Sequence, residues 1–252
     1  KNKDKDSGKM KILIVRHGDP DYEHDSLTPK GRREAELLAE RLSGMDISKF
    51  YVSPLGRAKA TATPTLERMG RTATECEWLR EFDAPIDRPD VTDRKMITWD
   101  WLPQDWTGEP LFFDYDKWMT HPVMARDDVG AQYRWVTDNF DRLLASHGYV
   151  HEGRIYRVEQ SNRDTLVFFC HFGLECVLLS HILGVSPMVL WHQVCAAPSS
   201  VTTLVTEERR EGIAILRMTG FGDISHLYKH GEPPSFQARF CETFDSPDER
   251  HD

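Results

Sequence analysis

The sequence predicts an α/β fold, a three-layer α/β/α sandwich with a mostly parallel central sheet. Short apolar runs typical of strands buried on both faces occur at residues 11–15, 49–53 and 165–170. Helix patterns follow these runs, so the order is βαβαβ, then an irregular region and a helix, then βαββ. That order favours helices on both faces of a mostly parallel sheet.

We expect the chain to form one domain. Its 252 residues can bury most of their apolar surface in one core, and they contain no internal repeat and no clear linker. The predicted domain covers residues 10–245, with an irregular cap insertion at about 82–147. The polar ends predict a disordered tail at 1–9 and a flexible tail at 246–252.

The first helix has marked ends. After the strand Lys11–Val15, Thr28 is suited to an N-cap, Pro29 to the first helical position and Gly44 to a C-terminal stop. Apolar residues at helical spacing lie between them. The sequence therefore predicts a helix between Thr28 and Gly44 with one buried face.

The second strand and helix repeat this pattern. The strand Lys49–Ser53 is followed by a helix for which Ser53 is the predicted cap, Pro54 lies in the first turn and Gly70 marks the end. Pro64 removes one backbone donor, so we expect it to kink or break this helix.

After the second helix, the helix and strand signals are less regular. "TATECEWLRE" predicts a third, edge-like strand that runs to about Leu79. Residues 82–113 lose the pattern and hold four prolines and three tryptophans, which is typical of a lid or binding loop. One or two helices are expected in 114–147. The strand Thr165–Cys170, a helix, and a hairpin formed by "SVTTLVT" and "GIAILRM" complete the prediction.

Bulk composition excludes several classes of partner and location. A net charge of −9 and a pI near 5.7 argue against nucleic acids and anionic membranes. No run suits a membrane span, and the first residues hold no apolar signal-peptide segment. Five cysteines without CxxC spacing favour free thiols in a reducing compartment, hence a cytoplasmic location, and Cys170 reads as an inert core thiol. We expect no metal site and no cofactor, and the oligomeric state stays open.

Four basic side chains are expected to meet at one edge of the sheet. Arg16, His17 and His171 come directly after strands, and Arg57 lies in a first helical turn after another strand. Ligands of such sheets bind at the carboxyl ends of the strands. Clustered cations repel each other unless an anion joins them, and arginine matches phosphate oxygens bidentately. The pattern therefore predicts a phosphate site, in which an imidazole can act as nucleophile.

These residues stand in motifs that resemble the histidine phosphatase superfamily, of the phosphoglycerate mutase-like branch 1 type. The matching segments, over roughly residues 10–81 and 165–228, are "VRHGDP", "LTPKG", "VSPLGRAKATATP", "LRE", "CHFG" and "SSVTTL". The resemblance implies the family's α/β/α sandwich and a metal-independent phosphomonoester hydrolase that acts on a small phosphorylated substrate.

The resemblance also implies roles for individual residues. His17 would become phosphohistidine, while Arg16, Arg57 and His171 would hold the transferred phosphoryl group, with Phe172 beside it in "CHFG". Glu81 would be the general acid. Asp83, two residues further on, is the alternative acid.

Some alternatives stay open from the sequence. Asp19 and Pro20 stand where the mutases carry a small hydroxyl side chain, which tilts the prediction from a mutase-type phosphotransferase toward a phosphatase. A catalytically silent phosphate-binding scaffold is the third possibility. The tryptophans Trp99, Trp101 and Trp106 either cap the pocket or pack the core. For His226 we favour packing or the surface over a supporting role in the site.

Overall fold

The computed structural model describes residues 9–235 and 242–251. Three positions discussed above lie outside these ranges: residues 1–8 of the predicted tail at 1–9, the last residue of the predicted tail at 246–252, and Cys241. The other four cysteines, Cys76, Cys170, Cys176 and Cys195, are free thiols. No helix in the described ranges has the length and apolar character needed to cross a membrane.

The strands of the described chain are numbered in sequence order. They are β1 (Lys11–Arg16), β2 (Pro20–Asp21), β3 (Ser26–Leu27), β4 (Lys49–Val52), β5 (Thr74–Glu75), β6 (Pro85–Ile86), β7 (Met96–Ile97), β8 (Tyr149–Glu152), β9 (Ile155–Val158), β10 (Thr165–Cys170), β11 (Val201–Arg210) and β12 (Ile213–Asp223).

The α-helices are numbered in the same way. They are α1 (Pro29–Ser43), α2 (Gly56–Met69), α3 (Pro103–Thr107), α4 (Pro122–Arg126), α5 (Val129–Ser146), α6 (Phe172–Leu183), α7 (Pro187–Gln193) and α8 (Ser225–Tyr228). Short 3₁₀ turns lie at Glu77–Leu79, Pro110–Phe113 and Trp118–Thr120.

Within the described residues, the central sheet has eight strands in the order β5-β4-β10-β1-β11-β12-β9-β8. The pairs β5-β4, β4-β10 and β10-β1 are parallel, and the remaining pairs are antiparallel. Consequently only β11 and β9 run against the other strands. The predicted fold class, a mostly parallel sheet between helices, is confirmed.

Alternation along β1 shows why the fold has three layers. Ile12 and Ile14 belong to a core on one face, which also holds the apolar side chains of α5 and α6. Leu13 and Val15 belong to a second core on the other face, with apolar side chains of α1 and α2. All four are at most 3% exposed, so this strand is buried on both faces, as its unbroken apolar run predicts.

The predicted ends of α1 are confirmed. Thr28 is the N-cap and accepts a hydrogen bond from the amide of Gly31, Pro29 is the first residue, and Gly44 is the C-cap. These signals are local, because a cap involves residues only a few positions apart.

Two predictions for α2 are wrong. Ser53 is not the N-cap, which is Leu55. The Ser53 hydroxyl contacts His171 and accepts the amide of Leu55, ahead of the first helical residue. Pro64 does not break the helix, which continues to Met69. The missing donor of Pro64 costs only one bond, to a carbonyl four residues earlier, and the packing of α2 against α1 holds the rest.

The remaining differences concern short strands. The predicted edge strand to Leu79 shrinks to β5, which does lie at the sheet edge, and then turns into a 3₁₀ helix. The C-terminal hairpin is confirmed, with strands longer than predicted. The hairpin β8–β9 was missed: its strands have four residues each and join through a turn at Gly153, whose φ of 66° lies in the left-handed region that glycine favours.

Candidate active site

Three neighbouring parallel strands place the predicted residues together. β4, β10 and β1 are adjacent, with Val52 opposite Phe169 and Arg16 opposite Cys170. The residue that follows each strand, respectively Ser53, His171 and His17, therefore emerges at the same edge of the sheet. The imidazole rings of His17 and His171 lie 5.2 Å apart between centroids.

His17 is held in one tautomer and kept neutral. Its Nδ1 donates to the carbonyl of Gly18 at 2.7 Å, so Nε2 carries the lone pair. The side chain is only 2% exposed. Burial, and then the charge of Arg16, lower the pKa of His17 to about 3. At neutral pH the ring is therefore an uncharged imidazole with a free Nε2, the form a nucleophile needs.

His171 is fixed by the residue that the sequence suggested as a cap. Its Nε2 lies 2.8 Å from Oγ of Ser53, and both side chains are fully buried. Burial, followed by the neighbouring His17 and Arg57, lowers the pKa of His171 well below its usual range. The buried Nδ1 of His171 has no hydrogen-bond partner within the described chain. This orphaned nitrogen is the group that an incoming ligand oxygen can satisfy.

Arg57 owes its position to Asp25, which the sequence analysis missed. The guanidinium Nη1 donates to Oδ1 of Asp25 at 2.8 Å, and the amide of Gly56 donates to Oδ2 at 2.6 Å. Burial alone would raise the pKa of Asp25, but the bonds from Gly56 and Arg57 hold it below its usual value. The carboxylate of Asp25 thus accepts a backbone hydrogen bond from the first turn of α2 and also orients the guanidinium of Arg57. No sequence motif marks it, since it lies 31 residues before Gly56 in a polar loop.

Arg16 is buried and fixed from two sides. Its Nη1 donates to the carbonyl of Ala196, and its guanidinium lies 5.3 Å from the ring centre of Phe172. The phenylalanine side chain is itself buried, 2% exposed. The ring of Phe172 therefore packs against Arg16. The backbone amide of Phe172, at the first position of α6, is the group that a ligand can contact.

Glu81, and not Asp83, faces the basic cluster. Oε1 of Glu81 accepts the amides of Phe82 at 2.8 Å and Leu174 at 3.0 Å. Burial raises the pKa of Glu81, although the charges of Arg57 and Arg16 oppose that change. Asp83 is exposed and reaches Gln132 instead. The geometry leaves Glu81 as the carboxyl group that can hold a proton beside the site.

Of the three tryptophans for which the sequence left open a cap over the pocket or packing in the core, two pack in the core and one lies near the site. Trp101 and Trp106 belong to the buried core, 7% and 3% exposed, as core packing predicts. Trp99 is half-buried and donates from Nε1 to the carbonyl of Phe82, next to Glu81. A Cβ on Gly173 would lie 2.6 Å from Oε1 of Glu81 and 2.7 Å from Nε1 of Trp99. Gly173 is therefore required for these groups to approach α6.

Asp19 has a structural role at the rim of the site. Its carboxylate accepts the hydroxyl of Thr28 at 2.6 Å and the hydroxyl of Ser235. Its amide donates to Oε2 of Glu34 at 2.8 Å. Asp19 thereby ties the loop after His17 to the start of α1 and to the C-terminal segment.

A further layer holds the backbone of His17. The amide of Ser199 donates to the carbonyl of His17 at 3.0 Å, and the Ser199 hydroxyl lies 3.0 Å from Nε2 of His226. Burial, then Arg41, lowers the pKa of His226 to about 4. His226 is 3% exposed, so it is neither a surface residue nor mere filler. The supporting role, which the sequence analysis ranked second, is the one that the geometry favours.

Below the site lies one more acid that the sequence did not single out. Glu175, in the first turn of α6, is 1% exposed. Burial raises its pKa to about 7, while the Thr202 hydroxyl and the charge of Arg16 oppose that rise. A carboxyl group so placed titrates near neutral pH.

Residues 12–219 match the family described as the histidine phosphatase superfamily (branch 1). The chain is 25% identical over 219 residues to phosphoserine phosphatase 1 of Hydrogenobacter thermophilus, which covers 83% of this chain and 93% of that protein. It is 42% identical over 64 residues to the 2,3-bisphosphoglycerate-dependent phosphoglycerate mutase of Thermoplasma acidophilum. That match covers 21% of this chain and spans only 32% of the mutase.

Among solved structures, the phosphoserine phosphatase of Entamoeba histolytica in complex with 3-phosphoglyceric acid is similar with a TM-score of 0.54 and 18% identity. The match covers 86% of this chain and 99% of that one. At this level of identity the likeness shows a shared fold.

Proposed function

The chain belongs to the histidine phosphatase superfamily, branch 1, and we propose that it hydrolyses phosphate monoesters through a phosphohistidine formed at His17. The observation that carries this proposal is the neutral, tautomer-locked imidazole of His17. It lies 5.2 Å from a second buried imidazole and within the electrostatic reach of two arginines. The two neutral imidazoles and the guanidinium groups of Arg16 and Arg57 form a positively charged pocket that suits a phosphate group.

Substrate phosphate would be held by Arg16, Arg57 and the free Nδ1 of His171. The two guanidinium groups neutralise the phosphoryl oxygens and stabilise the charge that spreads over them in the transition state. The amide of Phe172, at the positive end of α6, adds to the binding of the anion. Losing one of these donors should cost about 3–4 kcal/mol of transition-state stabilisation, by analogy with an oxyanion hole.

The reaction would proceed in two displacements. In the first, Nε2 of His17 attacks phosphorus, the P–O bond to the leaving group breaks, and the carboxyl proton of Glu81 passes to the leaving oxygen. In the second, the Glu81 carboxylate takes a proton from water, whose oxygen attacks phosphorus and breaks the P–N bond. The raised pKa of Glu81 supports its starting as an acid. No step in this scheme is assigned to a metal or a cofactor.

The mutase alternative is disfavoured by Asp19 and Pro20. A mutase must hold a second phosphate and return it to the product. The segment after Gly18 offers no hydroxyl for that task, because Pro20 has none and the carboxylate of Asp19 is engaged with Thr28 and Ser235. A silent scaffold is disfavoured by the complete set of donor, nucleophile and acid. We therefore place the protein with the hydrolases.

The substrate class we propose is a small phosphorylated metabolite. The relative from H. thermophilus is a phosphoserine phosphatase, and the E. histolytica structure holds 3-phosphoglyceric acid. The half-buried Trp99 beside Glu81 and the residues around it would face the leaving group. The single domain over residues 10–245, its cap at about 82–147 and the cytoplasmic location remain predictions.

The proposal is tested by assaying phosphate release from phosphoserine, 3-phosphoglycerate and p-nitrophenyl phosphate, together with interconversion of phosphoglycerates. Wild-type protein should release phosphate and should not interconvert them, and His17→Ala should be inactive. His230→Gln, a histidine paired with Glu40 at 2.9 Å, is the matched control and should retain activity. Full activity of His17→Ala would refute the proposal, whereas interconversion dependent on His17 would favour the mutase.

A further inference from the structure

A second cluster of histidines lies apart from the proposed active site. It consists of Asp141 on α5, His151 on β8 and His181 on α6. Nδ1 of His151 is 3.1 Å from Oδ2 of Asp141, and Nε2 of His181 is 2.9 Å from Oδ1 of the same residue. One ligand atom from each residue can be chosen so that all lie within 4.8 Å of one another. His181 follows His171 by ten residues, roughly 15 Å along α6, so this cluster plays no part in the phosphoryl transfer.

The two imidazoles and the carboxylate suit a divalent transition-metal ion of intermediate softness, such as Zn²⁺. Two imidazoles and one carboxylate are ligands that zinc takes in three-residue sites, with water in the fourth position. Bonds of about 2.0–2.1 Å at tetrahedral angles place neighbouring ligand atoms roughly 3.3 Å apart. The separations of 2.9 to 3.1 Å between Asp141 and the two histidines are close to that edge length. These separations are slightly shorter than that edge, so the Asp141 oxygens and the two imidazole nitrogens would move only slightly apart around an ion.

The carboxylate of Asp141 faces both imidazoles and is open to solvent on one side. The side chains of Asp141, His151 and His181 are 25%, 15% and 10% exposed. The cluster is therefore partly buried, and an ion can approach it from solvent.

Two tyrosines supply an outer layer. The hydroxyl of Tyr115 lies 3.3 Å from Nδ1 of His181, the ring nitrogen opposite the one that faces Asp141. Metal-binding histidines are normally oriented through their second nitrogen in this way. Tyr156 stands directly across the hairpin from His151, with ring centres 5.1 Å apart, and interacts electrostatically with Asp141. Tyr156 is 2% exposed, and its hydroxyl has no hydrogen-bond partner in the described ranges.

We propose that Asp141, His151 and His181 bind a divalent transition metal, Zn²⁺ by preference, with a fourth ligand water that the orphaned hydroxyl of Tyr156 holds. The ion would join three elements that already contact one another, since α5 packs against both β8 and α6. It fastens the edge hairpin β8–β9 to the helical layer. The site is structural, and it goes beyond the proposed phosphatase activity.

Binding is tested on untagged full-length protein that has been stripped with a chelator and dialysed against Zn²⁺ at about 10 μM free ion. Structural zinc sites bind with submicromolar Kd, so one equivalent per chain should remain bound. Zn²⁺ at about 100 times its measured Kd should raise Tm by roughly 5–10 °C. Co²⁺ in place of Zn²⁺ should give the strong visible bands of a tetrahedral site.

Variants decide whether these three residues are the site. Asp141→Asn and His181→Gln keep the shape of the side chains, and each should lose the bound equivalent, the Co²⁺ bands and the Tm response. His230→Gln should keep all three, because the pair of His230 and Glu40 has no third metal-binding side chain among the described residues. Absence of bound zinc in wild-type protein that is folded by circular dichroism would overturn the proposal and leave a hydrogen-bonded cluster. Unchanged binding in Asp141→Asn would overturn it as well.

Discussion

Replacing Asp25 with alanine should slow phosphate release by about 10- to 100-fold while lowering stability only modestly. The substitution removes the 2.8 Å contact that orients Arg57 and the 2.6 Å contact that satisfies the amide of Gly56. Loss of the helix cap should cost about 1 kcal/mol, or about 2–4 °C in Tm. Loss of orientation is the larger effect, because a misplaced positioning group can cost about 10² in rate.

The assay is a double-mutant cycle on kcat and KM with Arg57→Ala. Arg57→Ala alone should lower kcat by about 10²–10³. If Asp25 acts through Arg57, adding Asp25→Ala to that variant should change kcat by less than about threefold. Asp25→Asn should retain much of the cap and so the Tm, yet lose part of the rate.

Two outcomes would contradict this reasoning. Undiminished kcat in folded Asp25→Ala would show that Arg57 does not need the contact. An equally large effect of Asp25→Ala in the presence and absence of Arg57 would show that Asp25 acts by another route. A rise in KM with unchanged kcat would mean that Arg57 binds the ground state and the transition state equally strongly.

Two further predictions concern α6. Gly173→Ala should push Glu81 and Trp99 away, costing about 1–3 kcal/mol in urea unfolding and lowering kcat; normal activity would mean that Glu81 needs no fixed position. Glu175 has a folded pKa of about 7 against an ordinary 4.5, so the stability it contributes is full below 4.5 and is lost as pH rises through 7. Glu175→Gln should therefore remove about 2–3 kcal/mol of the fall in unfolding free energy between pH 5 and 8. An unchanged pH dependence would contradict the assignment.

Local signals in the sequence predicted local structure well. The ends of α1 followed from Thr28, Pro29 and Gly44, because a cap involves only residues a few positions apart. The convergence of His17 and His171 followed from strand order, since the carboxyl ends of parallel strands share one edge. These features depend on sequence spacing or on topology, both of which can be read without coordinates.

Features set by distant partners could not be read in the same way. Ser53 has the local signature of a cap, but His171, 118 residues later, takes its hydroxyl. Asp25 sits in a polar loop like any surface acid until the fold brings it to α2. The expectation of no metal site rested on the absence of motif spacing, whereas Asp141, His151 and His181 come together only through the packing of three elements.

The missed hairpin was readable in part. Gly153 with alternating residues on both sides is a hairpin signal, but two strands of four residues are too short to stand out from the polar region around them. Its position at the edge of the sheet, next to β12, is decided by tertiary pairing.

Trapping the phosphohistidine shows whether the substrate's phosphoryl group passes through His17. Protein mixed with a ³²P-labelled phosphodonor and quenched in base should carry about one acid-labile, base-stable phosphate, which peptide mapping places on His17. With p-nitrophenyl phosphate as the donor, whose leaving group needs no general acid, Glu81→Gln should let the phosphohistidine accumulate, because only the attack by water is then slowed. Label on another residue, or turnover in folded protein with no label on His17, would refute phosphoryl transfer through His17.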